Sequence, residues 1–458
     1  PPHPPPIPDG EKRSLWQWIQ RTRKSAIHTL YEGSFRNWIT VVKLPWRKLF
    51  VPKHPEDVRR VLVEEAKLYP KSESMHLALE PLLGNSIFTT NGEVWERQRR
   101  LLNPAFADNG LKKVFPLMQE AVTDLLGRLD HFENEECPIG DEMTHVTADI
   151  IMRTILSYPL GADEAMDLAR RFERFQMKAS IVNMLVSMRL PRWILPRNWL
   201  IWRSEGKKIR SLLGQIISSR YKEFHSNTKT GYGDILEGLM STIDPVTETS
   251  FSEKELVDQI VMLFLAGHET SASALGWTLF ILAHQPHYVD AIRKEVRESC
   301  PDSSNLRFNE VSKLKFTRAI FKESLRIYPP VPFFSRSACQ AGEIQNRPIQ
   351  SGDLVNLSPY LVHRHESLWQ QPDEFRPERF LSGTAEKINS SQYFPFSMGP
   401  RICIGAAFAQ QEALLTLIRI CESFDLEPVD GFVPEAVSRL TLRSENGIRI
   451  RIKRRPAA

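Results

Sequence analysis

The 458-residue sequence has few cysteines and no long apolar run. Its five cysteines include no C-x-x-C pair, which argues against a disulfide framework and a zinc site and favours a reducing compartment. Because no apolar run is long enough to span a bilayer and no secretory signal is present, the sequence predicts a cytoplasmic protein. The formal net charge of +5 is too small to indicate a nucleic-acid-binding protein.

Proline is concentrated at the N-terminus. Residues 1–10 read PPHPPPIPDG, which predicts an extended segment outside the core, whereas residues 11–458 are long enough to bury a large core. The chain does not begin with Met, which leaves open a removed N-terminal membrane anchor. At the other end, Arg449 to Arg455 alternates Ile with Arg or Lys, which predicts an edge strand with one charged face.

One cysteine has unusual neighbours, because Cys403 lies in the stretch FSMGPRICIG from Phe396 to Gly405. Glycines allow sharp turns that bring backbone N–H groups close to a sulfur, and the helix predicted after Gly405 would also favour a thiolate. Arg401 is placed to meet an anionic group, and Phe396 could shield the sulfur from water. The alternative interpretation is a buried free cysteine in a tight loop.

This stretch resembles the haem-binding loop of the cytochrome P-450 family, F-x-x-G-x-R-x-C-x-G, at every fixed position. The resemblance implies that Cys403 is the proximal thiolate ligand of the iron of haem b. A thiolate ligand favours O–O cleavage. The fold implied for residues 11–458 is one mainly α domain with small β-sheets, in which haem lies between a long central helix and the cysteine loop.

A second motif lies upstream, where Trp95 and Arg99 are four residues apart and therefore share a helix face. The pair resembles the family's W-x-x-x-R, in which both residues bind a haem propionate. Arginine suits this role because its planar guanidinium group can donate two parallel hydrogen bonds to a carboxylate. The resemblance also places Arg336 within reach of a propionate.

A third motif lies in a helix predicted from the capping box at Ser252 to about Gln285. Its middle reads Ala266-Gly-His-Glu269-Thr270, and the small residues leave space beside the Thr270 hydroxyl. A helix with one polar face is the alternative interpretation. The sequence is similar to the family's A/G-G-x-D/E-T, which implies that Glu269 and Thr270 deliver protons during oxygen activation.

Two further motifs complete the family's order. Glu323 and Arg326 match E-x-x-R, and Arg379 lies in P-E-R-F; the resemblance implies a structural role in which one carboxylate is shared by two arginines. An apolar substrate pocket is also implied, lined by Phe88, Met262, Phe264, Ala266, Val331, Phe333 and Phe334.

The implied reaction is monooxygenation of an apolar organic substrate, with O2 as co-substrate and electrons ultimately from NAD(P)H. Because no flavin or iron–sulfur motif is present, a ferredoxin, a flavodoxin or a flavoprotein reductase must supply the electrons. Charge alone suggests a docking patch at Arg100, Lys112 and Lys113. The alternatives are a peroxide-driven or isomerase-type haem-thiolate enzyme and a non-catalytic haem sensor. Fatty acids, terpenoids and aromatic compounds all stay open as substrates.

Local patterns predict the remaining structure. Residues 184–202 mix Met, Trp and Arg, which fits a packed loop or the family's mobile roof over the substrate channel and less readily a membrane contact. The other predictions are a helix from about Glu11 to Phe35, paired strands between Trp38 and Val51, a helix from Pro55 to Leu68, and an irregular segment from Ser72 to Asn91.

Overall fold

The structure is a computed structural model, and it describes residues 3–4, 6–9, 20–21, 24–44, 46–187, 199–226, 231–300, 306–383 and 388–456. The α-helices are α1 Pro55–Arg59, α2 Glu73–Leu83, α3 Gly92–Leu102, α4 Asp108–Leu129, α5 Ile139–Leu156, α6 Ala162–Ser187, α7 Trp199–His225, α8 Ile235–Ser241, α9 Glu253–Ala283, α10 Pro286–Ser299, α11 Phe308–Val311, α12 Lys315–Ile327, α13 Pro359–Val362 and α14 Ala406–Ser423. The strands are β1 Ile39–Lys43, β2 Lys48–Pro52, β3 Glu136–Cys137, β4 Phe334–Ser337, β5 Gly342–Ile344, β6 Arg347–Ile349, β7 Leu354–Leu357, β8 Phe424–Glu427, β9 Ala436–Ser438, β10 Leu442–Ser444 and β11 Ile450–Arg454. The predicted class, mainly α with small sheets, is confirmed.

The strands form small sheets at the margin of the helical core. The largest has the order β1-β2-β7-β4, in which β2 and β7 are parallel and the other pairs are antiparallel. The predicted hairpin is present, with Ile39 opposite Pro52. The C-terminal strand β11 has the predicted alternation of buried and exposed residues, but it lies between β3 and β8 and is therefore not an edge strand.

The central helix α9 crosses the core, as the sequence predicted. It begins at a capping box in which Ser252 accepts from the Glu255 N–H while the Glu255 carboxylate accepts from the Ser252 N–H. Most of its 31 residues are buried, because α5, α7, α12 and α14 all pack against it. Such a helix is stabilised mainly by the apolar surface that it buries on all sides. A face that is open to solvent in its middle is therefore significant.

Two local predictions were wrong. The segment after Ser72 is not irregular but contains α2, with Pro81 in its last turn and Gly84 ending it at φ +53°. The predicted helix from Pro55 to Leu68 is divided into α1, a π-helical turn Arg60–Glu64 and a 3₁₀ turn Ala66–Leu68. Proline favours a break but does not require one, since neighbouring packing can hold the interrupted turn.

The described residues of the N-terminal segment, 3–4 and 6–9, are packed against the rest of the protein, which corrects the prediction that this extended segment lies outside the core. Ile7 is 3% exposed, and its N–H donates to the Leu30 carbonyl at 2.8 Å. The His3 ring lies 4.7 Å from the Tyr328 ring, and Tyr328 in turn stacks on Trp277 of α9 at 4.0 Å. The proline-rich segment therefore contributes to the core.

Two other predictions fall partly outside the described residues. Of the predicted helix from 11 to 35, residues 20, 21 and 24 are helical, but the chain then forms 3₁₀ turns at Ala26–Thr29 and Glu32–Phe35. The expected roof or membrane contact at 184–202 has residues 188–198 outside the described part of the chain. Among the described helices, none is both long and apolar enough to cross a membrane.

Candidate functional site

The loop before α14 holds Cys403 in a fixed position. Gly399 has φ +71°, and a Cβ placed there would lie 2.1 Å from the Leu62 carbonyl oxygen, so this close approach requires glycine. The Cys403 N–H donates to the Phe396 carbonyl at 2.9 Å, and the Gly405 N–H points at the sulfur. The glycines expected to shape the loop therefore do so.

The Cys403 side chain is exposed although protein surrounds the loop, as expected at the floor of a cavity. The surrounding protein raises the pKa of the thiol, and this effect outweighs the Gly405 N–H, Arg99 and Lys71, which lower it. The Gly405 N–H therefore lowers the pKa in the direction that the sequence predicted, but burial has the larger effect. A metal cation opposite the sulfur reverses the balance, because a coordinating thiol is deprotonated.

Three cations near Cys403 lie close together without a carboxylate partner among the described residues, and Lys71 is the one that acts on the sulfur. Lys71 forms a β-bridge with Arg336, which is 5% exposed, and both lie near Arg401. Burial lowers the pKa of Arg401 to about 10; burial, together with Arg401, lowers the pKa of Arg336 to about 10. Burial, Arg336 and Arg401 hold the pKa of Lys71 well below its usual range. Uncompensated buried cations are costly, so the cluster fits a ligand with carboxylates such as haem.

Trp95 and Arg99 occupy the same helix, α3, but have different partners. The Arg401 guanidinium lies 4.3 Å from the centre of the Trp95 ring and donates to Asn91 Oδ1 at 2.8 Å. Arg99 donates to the carbonyl of Ile402 at 2.7 Å, which fixes the cysteine loop from its outer side. Trp95 thus belongs with the cation cluster, whereas a propionate contact by Arg99 stays a prediction.

The middle of α9 presents an open face that contains Ala266 and Thr270. Ala266 is exposed and Thr270 is half-buried, although they lie within a helix that crosses the core. The Thr270 hydroxyl donates to the Ala266 carbonyl at 2.7 Å, as its position predicted. Gly267 has a different reason to be small, since a Cβ there would lie 2.5 Å from Ile151 Cδ1 of α5.

Glu269 and Thr270 are adjacent, but their side chains have different partners. The Glu269 carboxylate accepts from Thr441 Oγ1 at 2.6 Å and from Gln176 Nε2 of α6. Sequence reasoning missed both donors, because each lies more than 90 residues from Glu269 and belongs to no motif.

The residues predicted to line a substrate pocket are not all on one surface. Phe264 stacks on Phe172 at 5.3 Å and contacts His268, on the side of α9 away from Ala266, so it belongs to the core. Phe334 packs in a second hydrophobic cluster beneath the largest sheet. Because successive residues of an extended chain point to opposite sides, Phe333 and Phe334 cannot line the same pocket. The residues kept as pocket candidates are Phe88, Met262, Ala266, Val331 and Phe333.

The predicted carboxylate shared by two arginines is present. Arg326 donates to both oxygens of Glu323 at 2.8 and 2.9 Å, and Arg379 donates to one of them at 3.4 Å. All three side chains are almost completely buried. The Arg376 N–H also donates to Glu323, at 2.8 Å, so this carboxylate joins α12 to the segment that precedes the cysteine loop.

One residue of the predicted docking patch, Arg100, is already in an ion pair. Arg100 pairs with both oxygens of Asp244, at 2.6 and 3.0 Å, so its charge is already compensated. Lys112 lies with its Nζ 5.9 Å from the centre of the Phe308 ring. The patch as predicted from charge alone was therefore wrong for Arg100.

Comparison with known proteins identifies similar chains. A family model described as Cytochrome P450 matches residues 4–449. Cyclooctatin synthase of Streptomyces melanosporofaciens is 28% identical over 85% of this chain and 83% of its own length. Cytokinin hydroxylase of Arabidopsis thaliana is 28% identical over 87% of this chain and 77% of its own length. Human cytochrome P450 4A11 is 27% identical over 98% of this chain and 85% of its own length. The crystal structure of the cytochrome P450DA heme domain matches with a TM-score of 0.80 at 24% identity, covering 92% of this chain and 90% of that one.

Proposed function

This chain belongs to the cytochrome P450 family and is a haem-dependent monooxygenase; from that premise, we propose that Cys403 is its thiolate ligand and that it hydroxylates an apolar compound. The observation that carries the proposal is the combination of the exposed thiol of Cys403 with the cations Lys71, Arg336 and Arg401, which have no carboxylate partner among the described residues. Haem b fits both features, because its iron binds a thiolate and its two propionate carboxylates pair with cations.

We propose a division of roles among the haem-contacting residues. Cys403 holds the iron, while Lys71, Arg336 and Arg401 hold the carboxylates, with Trp95 packed beneath Arg401. Arg99 keeps the cysteine loop in place through the Ile402 carbonyl. When bound, haem supplies the activation of O2, and the protein supplies orientation, exclusion of water and protons.

Proton supply is proposed for Glu269 and Thr270. The Thr270 hydroxyl donates to Ala266, so its oxygen keeps lone pairs that can accept a hydrogen bond within the open face of α9. Thr441 and Gln176 hold the Glu269 carboxylate as an acceptor, so Glu269 must release one of these contacts before it turns toward Thr270. Both donors are therefore proposed to control how often the acid is available.

The substrate is proposed to be apolar, because the retained pocket candidates are Phe88, Met262, Ala266, Val331 and Phe333. The names of the relatives include a synthase and a hydroxylase of different products, so they do not select one class. Fatty acids, terpenoids and aromatic compounds are the classes to be compared.

Electrons are proposed to come from NAD(P)H through a separate ferredoxin, flavodoxin or flavoprotein reductase. Two exposed apolar residues lie at the cysteine loop, because Val63 approaches Gly399 and Ile402 directly precedes Cys403; their exposed fractions are 38% and 43%. Because this surface is next to the proposed iron ligand, we propose it as the docking site in place of the patch at Lys112 and Lys113. A cytoplasmic location also stays a proposal.

The test is turnover of the purified haem-loaded protein with NADPH, a reductase system and one compound from each substrate class. We expect a hydroxylated product that requires both O2 and NADPH, from a compound that also converts the ferric haem from low spin to high spin. Product from peroxide alone, or rearrangement without O2, would favour the alternative haem-thiolate chemistry. Tight haem binding without any turnover would favour a sensor.

A further inference from the structure

The segment from Gly84 to Asn91 joins α2 to α3 and carries Phe88, a pocket candidate. We propose that Asp258 is a positioning residue that fixes this segment against α7 and α9, and that it thereby determines where the substrate lies relative to the iron. This inference rests on the proposed monooxygenase function, but the geometry that supports it does not depend on haem.

Asp258 is only 3% exposed and lies two turns before Ala266 on α9. Its Oδ2 accepts from the Asn85 N–H at 3.0 Å, and its Oδ1 accepts from Arg210 of α7 at 2.5 Å. The same guanidinium donates through its other terminal nitrogen to the Leu82 carbonyl at the end of α2, at 3.0 Å. One carboxylate therefore joins three helices and the start of the segment.

The fit at this junction is too close for other residues. Gly84 has φ +53°, and a Cβ there would lie 2.1 Å from Asp258 Oδ1. On the other side, a Cβ at Gly206 of α7 would lie 2.8 Å from the Pro81 carbonyl oxygen of α2. A side chain at Gly84 would displace the Asp258 carboxylate and strain a backbone with positive φ, and one at Gly206 would meet the α2 backbone, so the two glycines permit α2, α7 and α9 to meet around Asp258.

The rest of the segment is held in the same manner by other side chains. Gln259, next to Asp258, accepts from the Ile87 N–H at 3.0 Å. Gln98 of α3 donates to the Asn85 carbonyl at 2.7 Å and accepts from the Thr90 hydroxyl at 2.7 Å. Phe88 thus follows two residues, Asn85 and Ile87, whose backbone groups are held by α3 and α9, and Lys71 holds Phe88 itself, because the Lys71 Nζ donates to the Phe88 carbonyl at 2.6 Å and lies 3.9 Å from the centre of its ring. Asp258 carries the only charge in this set of acceptors, and it alone connects the set to α7.

The consequence concerns specificity rather than the reaction itself. If Asp258 releases Asn85 and Arg210, the start of the segment and α7 can separate, and Phe88 is then positioned only by the contacts of Lys71 and Gln259. A displacement of about 1 Å at the reacting carbon changes which C–H bond is presented, with effects on rate of up to about 100-fold. We therefore expect the product ratio and KM to change more than haem binding does.

The experiment compares Asp258→Asn with Asp234→Asn. The second change breaks a comparable buried ion pair, because Asp234, the N-cap of α8, pairs with Arg220 of α7. Asp234 pairs with Arg220 at 2.9 Å and is 5% exposed, and no contact of Asp234 in the described structure involves residues 84–91. Asparagine has one acceptor oxygen in place of two, so Asp258→Asn cannot hold Asn85 and Arg210 together, whereas Asp234→Asn can keep the N-cap hydrogen bond from Glu237 and loses its contact with Arg220. Both variants thus lose one buried pair, but only one of them releases the segment.

The first readout is amide hydrogen exchange without substrate, which is independent of turnover. Asp258→Asn should reduce protection at the amides of Asn85 and Ile87 by roughly tenfold, as for the loss of about one hydrogen bond, and Asp234→Asn should leave them unchanged. Equal exchange in both variants would overturn the proposal. Because Asp258→Asn leaves Arg210 unpaired, Arg210→Gln provides a second variant at a partly exposed position, with the same expected direction.

The second readout is the product ratio and KM for the substrate found in turnover. Asp258→Asn should raise KM several-fold and alter the product ratio, with an unchanged carbon monoxide spectrum. An unchanged product ratio despite faster exchange would show that the contact is structural only. If no compound is turned over, the exchange result still stands and the proposed function alone fails.

Discussion

The thiolate side of the site, meaning residues 396–405 and α14, comes from one continuous stretch of sequence. The oxygen side, meaning the open face of α9 and the residues that hold it and the segment beside it, is assembled from four separate segments. The thiolate side is fixed by backbone contacts within its own loop, such as the Cys403 N–H to the Phe396 carbonyl. On the oxygen side, the open face of α9 depends on Gln176, Thr441 and the segment at Gly84–Asn91. The comparison teaches that the thiolate side can be recognised from one stretch of sequence, whereas the partners that hold the oxygen side become apparent only in the structure.

The largest effect is expected at the support of the thiolate side. Glu323→Ala would leave Arg326 and Arg379 buried without their carboxylate, which typically costs about 3–5 kcal/mol of unfolding free energy. We expect a protein with little bound haem and a much lower urea midpoint. Glu298→Ala, which removes a surface pair with Lys294 at 4.0 Å, is the control and should change little. Similar losses in both variants would contradict the structural role.

The next prediction concerns the cation cluster, which connects the two sides. Lys71→Met should weaken haem binding by about 1.5–3 kcal/mol, because a charged hydrogen bond to a propionate is lost. The same change should stabilise the haem-free protein, since it removes an uncompensated cation. Haem titration and thermal unfolding without haem measure the two effects. Lys67→Met, an exposed cation four residues earlier, should change neither. Weaker haem binding together with a destabilised haem-free protein would argue against an anion site.

A third prediction concerns the contact between α9 on the oxygen side and α14 on the thiolate side. Ser271 of α9 donates to Glu412 of α14 at 2.7 Å, and burial raises the pKa of Glu412 to about 8. Because the unfolded chain loses this proton near its ordinary pKa of about 4.5, stability should fall as pH rises from about 4.5 to about 8 and then level off. The expected slope is about 1.4 kcal/mol per pH unit.

Glu412→Gln should remove that contribution and should be more stable than the parent above pH 8, as measured by urea unfolding at several pH values. Glu427→Gln, at an exposed position of β8, is the control. A parallel pH dependence in the parent and in Glu412→Gln would show that this carboxyl is ionised in the folded protein.

The smallest effect is expected on the oxygen side. Thr441→Val removes one donor from Glu269 and should lower the product formed per O2 consumed by roughly threefold to tenfold, since it acts only through the acid. Its effect should depend on pH, whereas Thr123→Val on the surface of α4 should leave the ratio unchanged. An unchanged ratio in Thr441→Val would mean that Glu269 does not need this contact.

The sequence predicted the residues whose neighbours in the chain determine their geometry. The cysteine loop, the capping box of α9 and the Glu323 network all depend on short spacings or on a shared motif. Lys71, Gln176 and Asp258 could not be found in this way, because each acquires its role from partners that are distant in sequence.

The errors of the sequence analysis have the same origin. The segment from Ser72 was predicted to be irregular, but α2 forms there with Pro81 inside it, because the helix packs against α7 and α9. Arg100 looked like a free cation because its partner, Asp244, is 144 residues away. Charge and periodicity describe a single segment and contain no information on what packs against it.

The most direct test of the account is the carbon monoxide spectrum of the reduced, haem-loaded protein, compared between Cys403→Ser and Cys339→Ser. Both cysteines are exposed, but only Cys403 lies in the haem-binding loop. The account predicts that Cys339→Ser keeps the red-shifted band of a thiolate-ligated haem and that Cys403→Ser loses it. A thiolate band that persists in Cys403→Ser would contradict the assignment of the ligand and, with it, the proposed site.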